Sequence, residues 1–155
     1  MRPNRNFTVR ANLGYLDAKY NSFLSVDRVT GAPLDLSGRP LISAPEYTAG
    51  VSADYGVDLG SNIAGFNKLN FHANVDYKSS IEYSEVSDPS GHQPGYTTVD
   101  GSVSMLSDAG YSVDFYVKNA FDKRYITYGD NIAGLFSYAF DDIGRTFGVS
   151  LKLNF

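Results

Sequence analysis

The chain has 155 residues, 43% hydrophobic and 19% charged, with no Cys, no Trp, 12 Tyr, 10 Phe, 15 Gly and a net charge of −4. Such a length suits about one domain, and the acidic balance leaves no basic patch, which argues against a nucleic-acid partner. No window comes near the ~18 consecutive apolar residues of a transmembrane helix, and a chain without cysteine makes no disulfides.

The opening stretch MRPNRNFTVRANLGY has no apolar core and no small-residue cleavage site, so it does not read as a signal peptide. Mature material, or a part of a longer protein, is expected, and we favour the latter. The first predicted strand runs from Asn6 to Tyr20. Phe7, Val9, Ala11, Leu13 and Tyr15 alternate with Thr8, Arg10, Asn12 and Gly14, and the parity slips after Tyr15. A bulge there, or exit from a membrane, would account for the slip. A loop with room for a small hairpin follows from Asn21 to Glu46, broken by Gly31, Pro33, Gly38, Pro40 and Pro45.

The second strand is expected over Tyr47–Leu59, with Tyr47, Val51, Tyr55 and Leu59 on its apolar face. A connection over Gly60–Asn67 leads to a third strand over Lys68–Tyr83. Leu69, Phe71, Val75, Tyr77, Ile81 and Tyr83 face one way, and His72, Asp76, Lys78 and Glu82 the other. So many titratable groups on one face exclude a close-packed core there, whereas a water-filled lumen accepts them. After the polar loop Ser84–Gly95 come strands over Thr97–Met105 and Tyr111–Lys118, joined by the tight turn Ser107–Gly110. A final loop spans Asn119–Gly144. The closing stretch Arg145–Phe155 then puts Phe147, Val149, Leu151, Leu153 and Phe155 on one face.

These six alternations predict an all-β fold, an antiparallel transmembrane β-barrel segment. Connections run long, short, long, short, long, as in barrels with long outer loops and short periplasmic turns. Each alternation covers about the 9–11 residues that a tilted strand needs to cross a bilayer. Tyr15, Tyr47 and Tyr77 are expected toward the outer interface, with Phe7, Tyr111 and Phe155 toward the inner one. Six strands do not close, because the smallest single-chain barrels have about eight. The segment is therefore expected to be incomplete on its own.

The sequence offers nothing convincing for catalysis, and the chain is not expected to be an enzyme. His72 and His92 are isolated and make no metal constellation. No nucleophile elbow and no phosphate-binding glycine loop occurs, and Asp141–Asp142 reads as a solvated acidic pair. Neither a cofactor nor a metal is expected.

Two stretches carry a family resemblance. Tyr116–Asp130, YVKNAFDKRYITYGD, resembles the penultimate-strand segment of TonB-dependent receptors, with Asn119, Phe121, Asp122, Lys123 and Tyr125 matching and Ala120 in place of the usual Leu. Gly144–Phe155 resembles the closing strand of that family, whose terminal Phe and alternate apolar residues form the assembly signal. Ser43–Tyr55, SAPEYTAGVSADY, is similar to an internal strand of the same barrels. The resemblance implies a receptor of about 22 strands with a plug inside, in the Gram-negative outer membrane. Such a receptor takes up a scarce ligand such as a ferric siderophore, haem, cobalamin or an oligosaccharide. Its implied partners are outer-membrane lipid, the barrel assembly machinery, the remainder of the receptor with its plug, and TonB through an N-terminal part. No plug and no TonB box is found in residues 1–155.

Asn119–Arg124 is expected to shape the strand exit, with Asp122 paired to Lys123 or Arg124. Tyr125, Tyr128, Phe136 and Tyr138 are the candidate ligand-loop residues, because loops on rigid scaffolds carry recognition. Two other readings stay open at this point. One is a small independent or oligomeric outer-membrane barrel; the other is a soluble carbohydrate-binding β-sandwich.

Overall fold

The computed structural model describes residues 6–27, 30–85, 89–132 and 135–153. In chain order the elements are β1 (Phe7–Tyr15), β2 (Leu24–Val26), β3 (Pro33–Asp35), β4 (Tyr47–Ile63), β5 (Phe66–Lys78) and β6 (Ile81–Glu82). After a 3-10 turn at Pro89–Gly91 come β7 (His92–Gln93), β8 (Tyr96–Leu106), β9 (Tyr111–Lys118), β10 (Ile126–Ile132), β11 (Phe136–Asp141) and β12 (Thr146–Leu153). No helix among the described residues is long and apolar enough to cross a membrane.

Six strands form one antiparallel sheet in the order β1-β4-β5-β8-β9-β12, and the rest pair as three two-stranded hairpins, β2–β3, β6–β7 and β10–β11. The register keeps the alternation of every strand in phase. Phe7, Tyr55, Phe71, Val103, Phe115 and Val149 form one continuous row across all six strands. The neighbouring row, Thr8, Asp54, His72, Ser102, Tyr116 and Gly148, lies wholly on the other face. A slip of one residue in any pairing would mix the two sets. The six expected alternations are therefore one sheet with an apolar face and a polar face.

The strand ends are stepped. At the β1 edge Tyr15 pairs with Tyr47, their rings 5.1 Å apart. Phe147, near the start of β12, shares a row with Val117, Gly101, Ala73, Ala53 and Val9 instead. Such stagger is what strands tilted to a barrel axis require.

Nothing among the described residues covers the apolar face. Leu13, Phe147 and Leu151 are 78%, 74% and 75% exposed, and among the described residues the buried hydrophobic ones are Leu36, Ile81 and Tyr96, all at the end that carries the long connections. A soluble β-sandwich buries its apolar face against a second sheet; the described residues form no such layer.

Several boundaries differ from the sequence expectation. β1 stops at Tyr15, where the Leu16 N–H donates to the Glu46 carbonyl at 2.9 Å, so the parity slip marks a strand end and no bulge. β4 continues to Ile63, and the Gly60–Asn67 connection contracts to a hairpin turn at Ala64 (φ 53°) and Gly65 (φ 90°). Two successive positive φ values match the twist of the flanking strands, and the register breaks between Asp58 and Ile63 to admit it. β5 ends at Lys78, and Ile81, expected on the apolar face, is buried in the β6–β7 hairpin instead. Asn119–Gly144 is not a plain loop, because it carries β10–β11. Phe7 opens β1 at the end opposite Tyr15, and the longer β4 runs on past its partner Tyr55.

Short turns thus gather at one end of the sheet and hairpins at the other. At the turn end the Tyr111 hydroxyl donates to the Gly65 carbonyl at 2.8 Å, tying one turn to the next. At the loop end the hairpins brace one another. The Ser43 N–H donates to the Glu82 carbonyl at 2.7 Å, and the buried Gln93 accepts the Ile126 N–H at 2.6 Å through Oε1.

Candidate functional site

The loop end is built outward from Asn119, the residue after β9. Its φ of 49° turns the chain off the strand, in a region that Asn tolerates better than most residues. Its N–H donates to Asp100 Oδ1 at 2.8 Å; its side-chain Oδ1 accepts the Lys123 N–H at 2.9 Å; and Nδ2 donates to the Lys123 carbonyl at 2.9 Å and to Asp142 Oδ2 at 3.3 Å. A buried amide with partners on both atoms fixes the turn. Asp122 closes it, with a φ of 54°, by accepting the Arg145 N–H at 2.8 Å, and Arg124 lies 3.8 Å away. The hydrogen bond from Arg145, helped by the nearby guanidinium groups, holds the Asp122 carboxyl below the usual carboxylate range. Phe121 projects into solvent, and Lys123 contributes only its main chain to these bonds. The matched motif residues thus meet in one turn, where they position the chain.

The turn delivers Tyr125 onto Tyr96. Their rings stack at 4.2 Å with 13° between planes. Burial and the adjacent Asp142 carboxylate push the Tyr125 phenol up to about 12. Because Tyr96 pairs with Lys78, and Lys78 with Thr48, the stack stands on the polar face. There it walls a recess of about 200 Å³ floored by Asn12, Asp76 and Thr98.

Tyr128, Phe136 and Tyr138 lie apart from Tyr125, on the β10–β11 hairpin. The pairings Tyr128↔Phe140, Asp130↔Tyr138 and Ile132↔Phe136 put six side chains on one face, four of them aromatic. Tyr128–Tyr138, Tyr138–Phe140 and Phe136–Tyr138 ring centroids are 6.0, 5.7 and 6.3 Å apart. The opposite side of this hairpin is pressed against the Ser90–Gly91 turn at Gly129, where an added Cβ would strike the Ser90 carbonyl. Three of the four candidate ligand residues therefore form one aromatic surface, and Phe140, absent from the sequence-based set, completes it.

Phe147, Val149, Leu151 and Leu153 share the exposed apolar face of β12, and Phe155 lies outside the described residues. Along the polar face Asp54 takes Arg10 on one side and His72, at 2.8 Å, on the other. His92 sits in β7 and meets Glu82 at 2.6 Å across the hairpin. Among the described residues no three His, Asp or Glu side chains cluster as metal ligands. A groove of about 640 Å³ lies among Phe7, Tyr55, Phe71 and Phe147 of the apolar face. Sequence reading missed Tyr96 and Gln93, whose partners stand 29 and 33 residues away, and took Asp142 for a solvated carboxylate, whereas its Oδ2 accepts from Asn119, 23 residues away, and from the Gly144 N–H.

The model of the TonB dependent receptor-like β-barrel family matches residues 3–120. The chain belongs to that family. Its fold is also that of two solved receptors. The ferric yersiniabactin uptake receptor FyuA from Yersinia pestis superposes with a TM-score of 0.75 at 21% identity, over 99% of this chain and 22% of that one. The siderophore receptor PiuA from Acinetobacter baumannii gives 0.67 at 18% identity, over 96% and 19%. The chain thus spans about a fifth of the length of each. No curated protein matches by sequence. Members of this family are transporters of the outer membrane, and their barrels surround a plug.

Proposed function

We propose that the chain is the C-terminal part of the β-barrel of an outer-membrane TonB-dependent receptor that takes up a scarce ligand such as a ferric siderophore. The observation that carries this reading is the uninterrupted register of an apolar and a polar face across six strands, in a member of that family. A bilayer supplies the cover that the apolar face lacks, and the lumen takes the polar one. The free edges of β1 and β12 support a larger barrel, because unpaired backbone groups in lipid cost about several kcal/mol each. The ferric yersiniabactin uptake receptor and the siderophore receptor that share the fold support the ligand class.

In this reading the domain is barrel throughout, with the plug and the TonB-contacting segment contributed elsewhere in the receptor. Phe147, Val149, Leu151, Leu153 and Phe155 form the signal read by the assembly machinery. The aromatic face of Tyr128, Phe136 and Tyr138 meets the ligand outside the membrane, and Asn119, Asp122 and Lys123 hold that hairpin at the barrel rim. The chain's part in transport is to bind and to wall the path.

The test is disruption of the coding sequence under iron limitation. Loss of growth on one ferric siderophore, restored by the intact gene, is expected. Unchanged uptake of every ferric siderophore tried would overturn the ligand class.

A further inference from the structure

The recess beneath the Tyr96–Tyr125 stack holds two opposite charges that do not neutralise each other. Asp76 and Lys78 are neighbours on the polar face of β5, two residues apart and therefore about 7 Å along the strand. The Lys78 ammonium has no ion-pair partner among the described residues. Asp76 accepts the Asn74 amide on Oδ2, and its Oδ1 leans over Gly50, 3.0 Å from where a Cβ there would stand. Both charged groups are exposed and open into a space of about 200 Å³. Asn12, Thr48 and Thr98 add neutral hydrogen-bonding groups, and Tyr125 an aromatic wall.

We propose that this recess is a binding site for a zwitterionic ligand of the α-amino-acid type, free or as part of a larger molecule. The ligand ammonium goes to Asp76, its carboxylate to Lys78, and its side chain along Tyr125. A monoanion would leave Asp76 facing it, and a simple cation would meet Lys78; only a group carrying both charges satisfies both residues. The size suits one amino-acid unit. Gly50 lets the walls of the site stand where they do, since a side chain there would displace Asn12 and Asp76. The inference rests on the reading of the polar face as a lumen reached from outside.

The probe is L-phenylalanine, titrated calorimetrically into outer-membrane vesicles from cells expressing the intact receptor that contains this chain, with vesicles from non-expressing cells as the blank. Saturable binding is expected, weakened about tenfold or more by Lys78→Gln and by Asp76→Asn separately. 3-Phenylpropionate, which lacks the ammonium, should be weakened by Lys78→Gln and not weakened by Asp76→Asn. Both substitutions are near-isosteric and exposed, and heat-modifiable gel migration verifies that each variant is folded. Folded receptor in the vesicles that does not bind phenylalanine, or binds it equally in both variants, overturns the site and leaves the barrel reading standing. Intact receptor absent from the outer-membrane vesicles would overturn the barrel reading, and this site with it.

Discussion

The Tyr116 ring on β9 lies across Gly148, its direct partner on β12, so closely that an added Cβ would overlap the ring and its hydroxyl. Tyr116 is the large side chain at this point of the polar face, and glycine is what lets it lie down. Gly148→Ala should therefore destabilise the β9–β12 pairing by about 1–3 kcal/mol, the usual cost of overpacking. Tyr116→Ser should recover most of that loss in the double variant. Urea midpoints of the refolded intact receptor measure both effects.

Asn119 offers a second test, because its backbone and its side chain can be separated. Asn119→Ala removes the bonds to Lys123 and Asp142 and keeps the positive φ of 49°, while Asn119→Gly removes the bonds and relieves the φ. Each should cost about 1–3 kcal/mol for the lost buried partners, with Ala worse than Gly by about 1 kcal/mol. Limited proteolysis within 119–145 should rise in the same order.

The Tyr125 phenol gives a pH dependence of definite sign. Its folded pKa is raised from 10.0 to about 12, so the folded protein holds a proton that the unfolded chain releases. Its stability contribution is fully present below pH ~10 and is lost as pH rises through about 12. Absorbance titration of phenolate, wild type minus Tyr125→Phe, should show one late-ionising group. A difference curve centred near 10 would contradict the burial of this ring.

The aromatic hairpin makes a prediction about the ligand. Replacing Tyr128, Phe136 and Tyr138 together by Ala should weaken ferric-siderophore binding by the intact receptor tenfold or more, since flat aromatic anchors carry much of the energy of such surfaces. Assembly should be unaffected, because these side chains stand on a hairpin outside the six-stranded sheet. Unchanged affinity would rule the surface out.

What could be read in the sequence was whatever obeys a local period. Residues 47–59 and 111–118 show their two faces because side chains alternate in a strand, and a barrel wall keeps that alternation free of packing exceptions. The β10–β11 hairpin was illegible for a physical reason. Its aromatic residues Phe136, Tyr138 and Phe140 alternate, but β10 reads Ile126–Thr–Tyr–Gly–Asp–Asn–Ile132, with no clean apolar face. The Tyr96–Tyr125 stack joins residues 29 apart, and its only local sign is a turn motif whose consequence lies elsewhere in the chain. Ile81 misled because it continued the parity of β5 beyond Lys78, where the strand had already ended.

The central claim, that this is the membrane-embedded C-terminal part of a larger receptor, is tested most directly by the size and location of the native polypeptide. An antibody raised against residues 119–144, probing fractionated source cells, should find a band in the outer membrane several times the 16.9 kDa of this chain. A band of 16.9 kDa, or one in the soluble fraction, would contradict the account.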